Sequence, residues 1–441
     1  MSRGSGARRR STVSSCAQTT QRGTDRVGPL SPRRLYYALL FISSALFSLA
    51  FTAMALYEVQ TARLNPLQLV LVGTLLEATV LVCEVPTGVV ADVYSRRLSI
   101  IIGHALMGVG FLVEGSFPAF LPILMAQTLW GAGYTFTSGA TEAWLSDEIG
   151  EEGANRAFFT GNRIELIGSL AGLVIAVGAG ALLSLGGMIV VSGVGRLVLA
   201  LFLVAFMTER GFHATRPEDR NTWQHLAATL RKGAQTVRSR PALISILGVG
   251  LFYGLYSEGF DRLWVKHLLD QFSLPFFAQN EVAFFAILRA ASLLVSMAAS
   301  GWVARRLDVG RPATIGRWMQ GLTVGIVACL FIFAWTPLLW LALAAYLLLS
   351  ALRNVVGPLT TAWVNQRLDS DVRATILSLA GQVDALGQVA GGPAVGWLAK
   401  TISIPVALTF SGALLTPALG LIARANRQSA SPGYGSSTGI A

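Results

Sequence analysis

The chain has 441 residues, 53% of them hydrophobic and only 13% charged, and its mean hydropathy is +0.58. A soluble domain carries about 25% charged residues, so a soluble enzyme, a coiled coil and a disordered chain are excluded. An all-α protein that crosses a membrane many times remains. Its formal charge of +11 is informative through its location, because basic residues flanking apolar spans set orientation.

Residues 1–34 form a Ser- and Arg-rich tail with no apolar stretch before Leu35. The tail is therefore not a secretory signal, and the first span acts as an uncleaved insertion signal. Apolar segments follow at 35–57, 66–90, 98–116, 118–145, 157–184, 187–208, 241–264, 279–304, 313–334, 337–362, 374–399 and 404–423. A span needs about 20 apolar residues. The runs are continuous and not alternating, which excludes a β-barrel. Twelve transmembrane helices in two six-helix bundles are expected, over 35–208 and 241–424. The one long interior break, 209–240, reads as a linker whose stretch from Trp223 to Val237 forms an amphipathic helix, either interfacial or solvated. Residues 425–441 form a second polar tail.

Basic residues crowd into alternate loops. Eight lie in the N-terminal tail and seven in 209–240, whereas the opposite loops carry Arg63, Arg262, Lys266 and Lys400. Both termini are expected in the cytoplasm, with the protein in the cell membrane and its basic excess facing anionic lipid and not nucleic acid. The three cysteines, Cys16, Cys83 and Cys329, give no disulfide framework.

The two halves repeat. Gly88-Val-Val-Ala-Asp92 matches Gly301-Trp-Val-Ala-Arg305, Thr141-Glu-Ala-Trp144 matches Thr360-Thr-Ala-Trp363, and Arg156-Ala157 matches Arg373-Ala374, at offsets of 213, 219 and 217 residues. Three matches at nearly constant offset indicate a duplicated six-helix unit, the pseudo-symmetric architecture of many secondary transporters.

The segment from Glu84 to Arg97 carries Gly88, Asp92, Arg96 and Arg97 after the second span, and it resembles the loop signature of the major facilitator superfamily. Val93 and Ser95 replace its usual basic residue and glycine. The run from Ser138 to Trp144 is similar to drug-efflux branches of the tetracycline and macrolide type. The resemblance implies export of a small amphipathic molecule in exchange for protons, by a unit that functions as a monomer without a cofactor. It also implies that the loop contacts latch the halves in one state. The chain departs from the antiporter pattern in the fourth helix, where Gln127 stands in place of an Arg before Gly131. It departs again in the fifth, which has Gly168 and Gly172 but no Pro. The Gly-Pro pattern occurs instead in the eleventh, at Gly391 and Pro393.

The residues themselves suggest roles for this loop. Gly88 allows close helix approach, Asp92 can interact with a helix dipole, and Arg96 and Arg97 can pair with Asp147 or Glu148. The other reading of these basic residues is ordinary orientation charge.

A charge at mid-span costs about 2.5–3.5 kcal/mol and requires a partner or a wet cavity. Glu77, halfway along the second helix with no cation nearby in sequence, is a candidate proton carrier or a fixed hydrogen-bonding carboxyl. Asp384, Arg289 and Arg353 are expected to form one charge cluster in the C-terminal half, either as a proton switch or as a fixed structural group. A Glu142–Arg163 pair is expected to tie the fourth and fifth helices. Glu258, Asp261 and Arg262 read as solvated residues or an outer gate, and Arg196 and Arg317 receive no role. Phe47, Phe51, Gln127, Tyr134, Phe136, Phe252, Tyr253 and Tyr256 are candidate cavity residues, since aromatic walls suit flat amphipathic substrates.

The four histidines are far apart in sequence, without metal-ligand spacing, and no ATP-binding motif occurs. Alternatives to efflux are uptake of a nutrient or metabolite by symport, and a transporter-like sensor that binds without turnover. No nucleophile–base pair suggests an enzyme.

Overall fold

A computed structural model describes residues 30–214, 241–274, 280–307, 312–365 and 370–430. The expected linker helix, most of both tails and any contact they make lie outside these residues. Fourteen α-helices, numbered in chain order, make up the described fold. They are α1 (Pro32–Leu56), α2 (Pro66–Val93), α3 (Arg96–Ser116), α4 (Phe120–Thr137), α5 (Ala140–Ile149), α6 (Glu151–Gly180), α7 (Leu185–Phe206), α8 (Pro241–Gln271), α9 (Glu281–Arg306), α10 (Pro312–Trp335), α11 (Leu339–Asn365), α12 (Ser370–Thr401), α13 (Ile404–Leu415) and α14 (Pro417–Ala430). A π-helical turn, Tyr57–Thr61, extends α1. No strand occurs among the described residues.

Ten described helical segments, one of them α13 and α14 taken together over Ile404–Arg427, are long and apolar enough to cross a membrane. Large apolar side chains such as Phe159, Val174 and Trp340 are exposed on the outer wall, a surface suited to lipid and not to water. α4 and α12 pack among the ten, α4 against α2 and α3, and α12 against α2 and α8.

Local chemistry sets the boundaries. Asn65 caps α2 in a reciprocal box with Gln68, at 3.1 and 3.0 Å, and Pro66 starts the helix where no N–H is needed. Ser95 caps α3 by accepting from the Leu98 N–H at 2.9 Å. Two predicted segments are broken. The segment 118–145 splits at Gly139, whose φ of +70° is a conformation that favours glycine. The segment 404–423 splits before Pro417, which cannot donate into a continuing helix.

Glycines set the helix spacing in both halves alike. A Cβ at Gly168 or Gly172 on α6 would strike the Phe41 or Ala45 carbonyl oxygen on α1. A Cβ at Gly387 or Gly391 on α12 would strike the Leu251 or Leu255 carbonyl oxygen on α8. Each partner pair is four residues apart, so the two contacts repeat one small-residue seam.

We call inner the side carrying the Asp92–Arg97 turn. The halves close on each other at the opposite, outer side. Gly392 abuts Thr74 and Val70, Gly180 abuts Val282, and Gln60 donates to Glu281. Nothing lies within 4 Å of a Cβ at Gly88, Gly301, Gly357 or Gly381. Gly88 therefore makes no close helix approach in this conformation, contrary to expectation, since no described neighbour reaches its side of α2.

Candidate functional site

Two cavities lie between the helices, on either side of an aromatic partition. Phe47 and Phe51, one turn apart on α1, stack at 4.1 Å. Trp130 of α4 leans on Phe51 at 5.4 Å and on Phe47 at 6.1 Å. The inner cavity, about 640 Å³, is lined by Phe47, Tyr134, Glu142, Glu165 and Arg196 among others. The outer cavity, about 400 Å³, is lined by Phe51, Glu77, Gln127, Trp130, Arg289 and Tyr346 among others. Both volumes suit a small organic molecule.

Asp384, Arg289 and Arg353, expected to cluster, make no direct bond to one another among the described residues. Arg353 of α11 grips Asp261 of α8 through two bonds, at 2.5 and 2.6 Å. It lies over the Tyr256 and Phe260 rings at 5.7 and 5.4 Å. The planar fork of guanidinium matches a carboxylate better than any single point contact. Asp384 instead accepts from Gln388, one turn along its own helix, at 2.9 Å. Arg289 joins neither acid. Its guanidinium lies 5.9 Å from the centre of the Phe51 ring, across the interface between the halves, and no described acid forms an ion pair with it.

Glu77 is half-buried in the outer cavity wall and makes no hydrogen bond or ion pair with any described residue. The expected Glu142–Arg163 pair is likewise absent among the described residues. Both side chains are exposed, and Glu142 faces the inner cavity together with Glu165.

Of the expected cavity residues, Phe47, Phe51, Gln127 and Tyr134 line one of the two cavities. The other four line neither. Phe136 packs beside Gly103 of α3, and Phe252 packs against the core. The Tyr253 hydroxyl bonds Thr323 of α10 at 2.7 Å, and Tyr256 is buried beneath Arg353.

Several groups emerge only in three dimensions. Glu58 and Glu114 are 5% and 1% exposed, and their carboxyl groups neighbour each other. Gln127 donates to Glu114 at 3.0 Å. Glu258, expected to be solvated, is 3% exposed and accepts from Arg262 at 3.1 Å. This pair occupies the notch left by the absent side chain of Gly73 on α2. Arg196 is buried, donates to His104 Nδ1 at 3.3 Å and lies over Phe47 and Phe111 at 5.8 and 5.2 Å.

At the inner turn, Arg96 pairs with Asp147 and also donates to the Ala143 carbonyl at 2.7 Å. Among the described residues Arg97 takes no acid through its guanidinium, and it donates to the Val204 carbonyl at 2.6 Å. Glu148 accepts from the Arg210 and Gly211 backbone, at 2.5 and 2.9 Å. Glu209 holds the start of α3, accepting from the Ser95 hydroxyl at 2.5 Å and the Arg97 N–H at 3.0 Å. These contacts join the N-terminal half to the first residues of the linker and do not reach the C-terminal half. Asp92, half-buried in the last turn of α2, lies beside them in the chain. No described residues gather three or more His, Cys, Asp or Glu side chains into a metal site.

The Major Facilitator Superfamily model matches residues 36–392, and the chain belongs to that family of transporters. An uncharacterized MFS-type transporter, YxaM of Bacillus subtilis (strain 168), is 21% identical over 343 residues, covering 77% of this chain and 82% of its own. Among solved structures, a mutant of the nucleoside transporter NupG superposes with a TM-score of 0.75 at 13% identity, over 90% of this chain and 100% of its own. A bacterial homolog of the human lysosomal transporter Spinster, in an inward-facing and occupied conformation, gives 0.70 at 13% identity, over 90% and 96%. The peptide transporter POT gives 0.67 at 14%, over 89% and 95%. These likenesses establish the fold.

Proposed function

We propose that this member of the major facilitator superfamily is a proton-coupled secondary transporter that exports small amphipathic, drug-like molecules by alternating access. In this reading twelve spans form two six-helix bundles in the cell membrane, the inner side and both termini face the cytoplasm, and the monomer is the working unit. The observation that carries it is Glu77, an acid that forms no hydrogen bond or ion pair with a described residue, in an aromatic-lined cavity between the halves.

A carboxylate left unpaired at such depth is costly, and a proton or a cationic substrate group relieves the cost. The two therefore compete for one site, which is the minimum that exchange requires. The halves meet at the outer side, where Gly392 abuts Thr74 and Val70, and in this reading the conformation is one closed to the outside. Rocking the halves about the partition then opens the outer cavity, with Glu77 in its wall, to the outer side.

The test is substrate-dependent proton movement into proteoliposomes under an imposed pH gradient. Proton entry that requires substrate supports exchange. Binding without flux assigns the chain to the sensor class, and proton and substrate moving in the same direction assigns it to symport.

A further inference from the structure

The ionisable groups around the outer cavity are largely satisfied by one another. Asp261 is held by Arg353, Glu258 by Arg262, and Glu58 lies against Glu114 with Arg262 nearby. Two lining groups of opposite sign are left without an ion-pair partner among the described residues, Glu77 on α2 and Arg289 on α9.

These two positions are related by the internal repeat. Glu77 lies eleven residues before Gly88 and Arg289 twelve before Gly301, the matched glycines of the two halves. At about 1.5 Å of rise per residue they sit at nearly the same depth, on repeat-related helices in opposite halves. They line one cavity and form no ion pair with each other. Phe51, Trp130, Trp264 and Tyr346 supply aromatic surface to the same cavity.

We infer that Arg289 is the anchor for an anionic group of the substrate, and that the cavity takes a zwitterion: a flat apolar body whose cationic end meets Glu77 and whose anionic end meets Arg289. This rests on the transport reading above and names its substrate class. Two opposite charges desolvated in one cavity are both relieved by a single molecule that carries both. Such a molecule also bridges the two halves, so its binding energy differs between conformations that move them apart. Guanidinium pairs bidentately with a carboxylate, and its cation–π contact with Phe51 leaves its edge nitrogens free for that pairing.

Three naphthalene compounds separate the charges: naphthylalanine carries both, naphthylethylamine only the cation, and naphthylpropanoate only the anion. Equilibrium dialysis against the purified full-length protein in detergent, with no gradient present, measures their affinities. Naphthylalanine should bind about tenfold or more tighter than either single-charge compound, the scale of one charge-assisted contact. In Arg289→Gln its affinity should fall to that of naphthylethylamine, whose own binding should not weaken. Retained amine binding shows that the variant is folded, and Arg289→Lys should recover part of the loss.

Equal affinities for the three compounds overturn the inference. So does binding of none of them, or an unchanged ratio of naphthylalanine to naphthylethylamine in both Arg289 variants. Because dialysis involves no proton flux, loss of coupling in proteoliposomes with this ratio intact would refute the transport reading and leave the anchor standing.

Discussion

Arg353 and Asp261 join α11 to α8 through two parallel guanidinium–carboxylate bonds, at 2.5 and 2.6 Å. This pairing gives Arg353 a direct partner other than Asp384. Its chemistry is that of a strut, with two ionic partners bonded and an aromatic face on Tyr256 and Phe260. Asp261 is 43% exposed, so the pair falls short of the about 3–5 kcal/mol lost when one member of a fully buried pair is removed. Arg353→Gln should cost about 1–3 kcal/mol. Asp384→Asn, which replaces one acceptor of a Gln388 bond with another, should cost less than about 1 kcal/mol. Thermal unfolding in detergent ranks the two, and equal losses would contradict the assignment of Arg353 as the strut.

Glu209 follows α7 yet organises the start of α3. It accepts from the Ser95 hydroxyl and the Arg97 N–H, adding a negative charge to a helix N-terminus. Glu209→Ala should destabilise the N-terminal half by about 1 kcal/mol, the usual scale of a lost cap, and Glu209→Gln by less. Protease sensitivity of the Asp92–Arg97 turn reports the difference. No change with alanine would mean that Ser95 alone suffices.

Closure of the outer side depends on backbones meeting without side chains. Gly392 of α12 sits against Thr74 and Val70 of α2. Gly392→Val should prevent this approach and raise the population open to the outside. A cysteine placed at Thr74 should then react severalfold faster with a membrane-impermeant thiol reagent than it does beside the native glycine. Unchanged labelling would show that closure rests elsewhere.

The features legible in the sequence were those written along one helix or one loop. Continuous apolar runs marked the helices long and apolar enough to cross a membrane. Glu77 was conspicuous because nothing near it in sequence answers its charge.

The features that were not legible depend on which helices meet. Arg353 has Asp261 as its partner 92 residues away, and Asp384 was an equally good guess from depth alone. Glu58 and Glu114 lie near helix ends, where a sequence reader places solvent, yet helix packing buries both. The aromatic candidates on α8 were assigned by helix and not by face, and Tyr253 and Tyr256 turn toward α10 and α11 instead. Arg196 was set aside as peripheral, although its place above Phe47 brings it to the inner cavity.

The central role belongs to Glu77, and proton entry into proteoliposomes tests it most directly. With an acidic exterior and a transported zwitterion inside, wild-type protein should show substrate-dependent acidification of the lumen by an entrapped pH dye. Glu77→Gln should abolish that signal while Asp384→Asn keeps most of it. Full substrate-dependent acidification with Glu77→Gln would place the coupling proton on another residue and contradict the account.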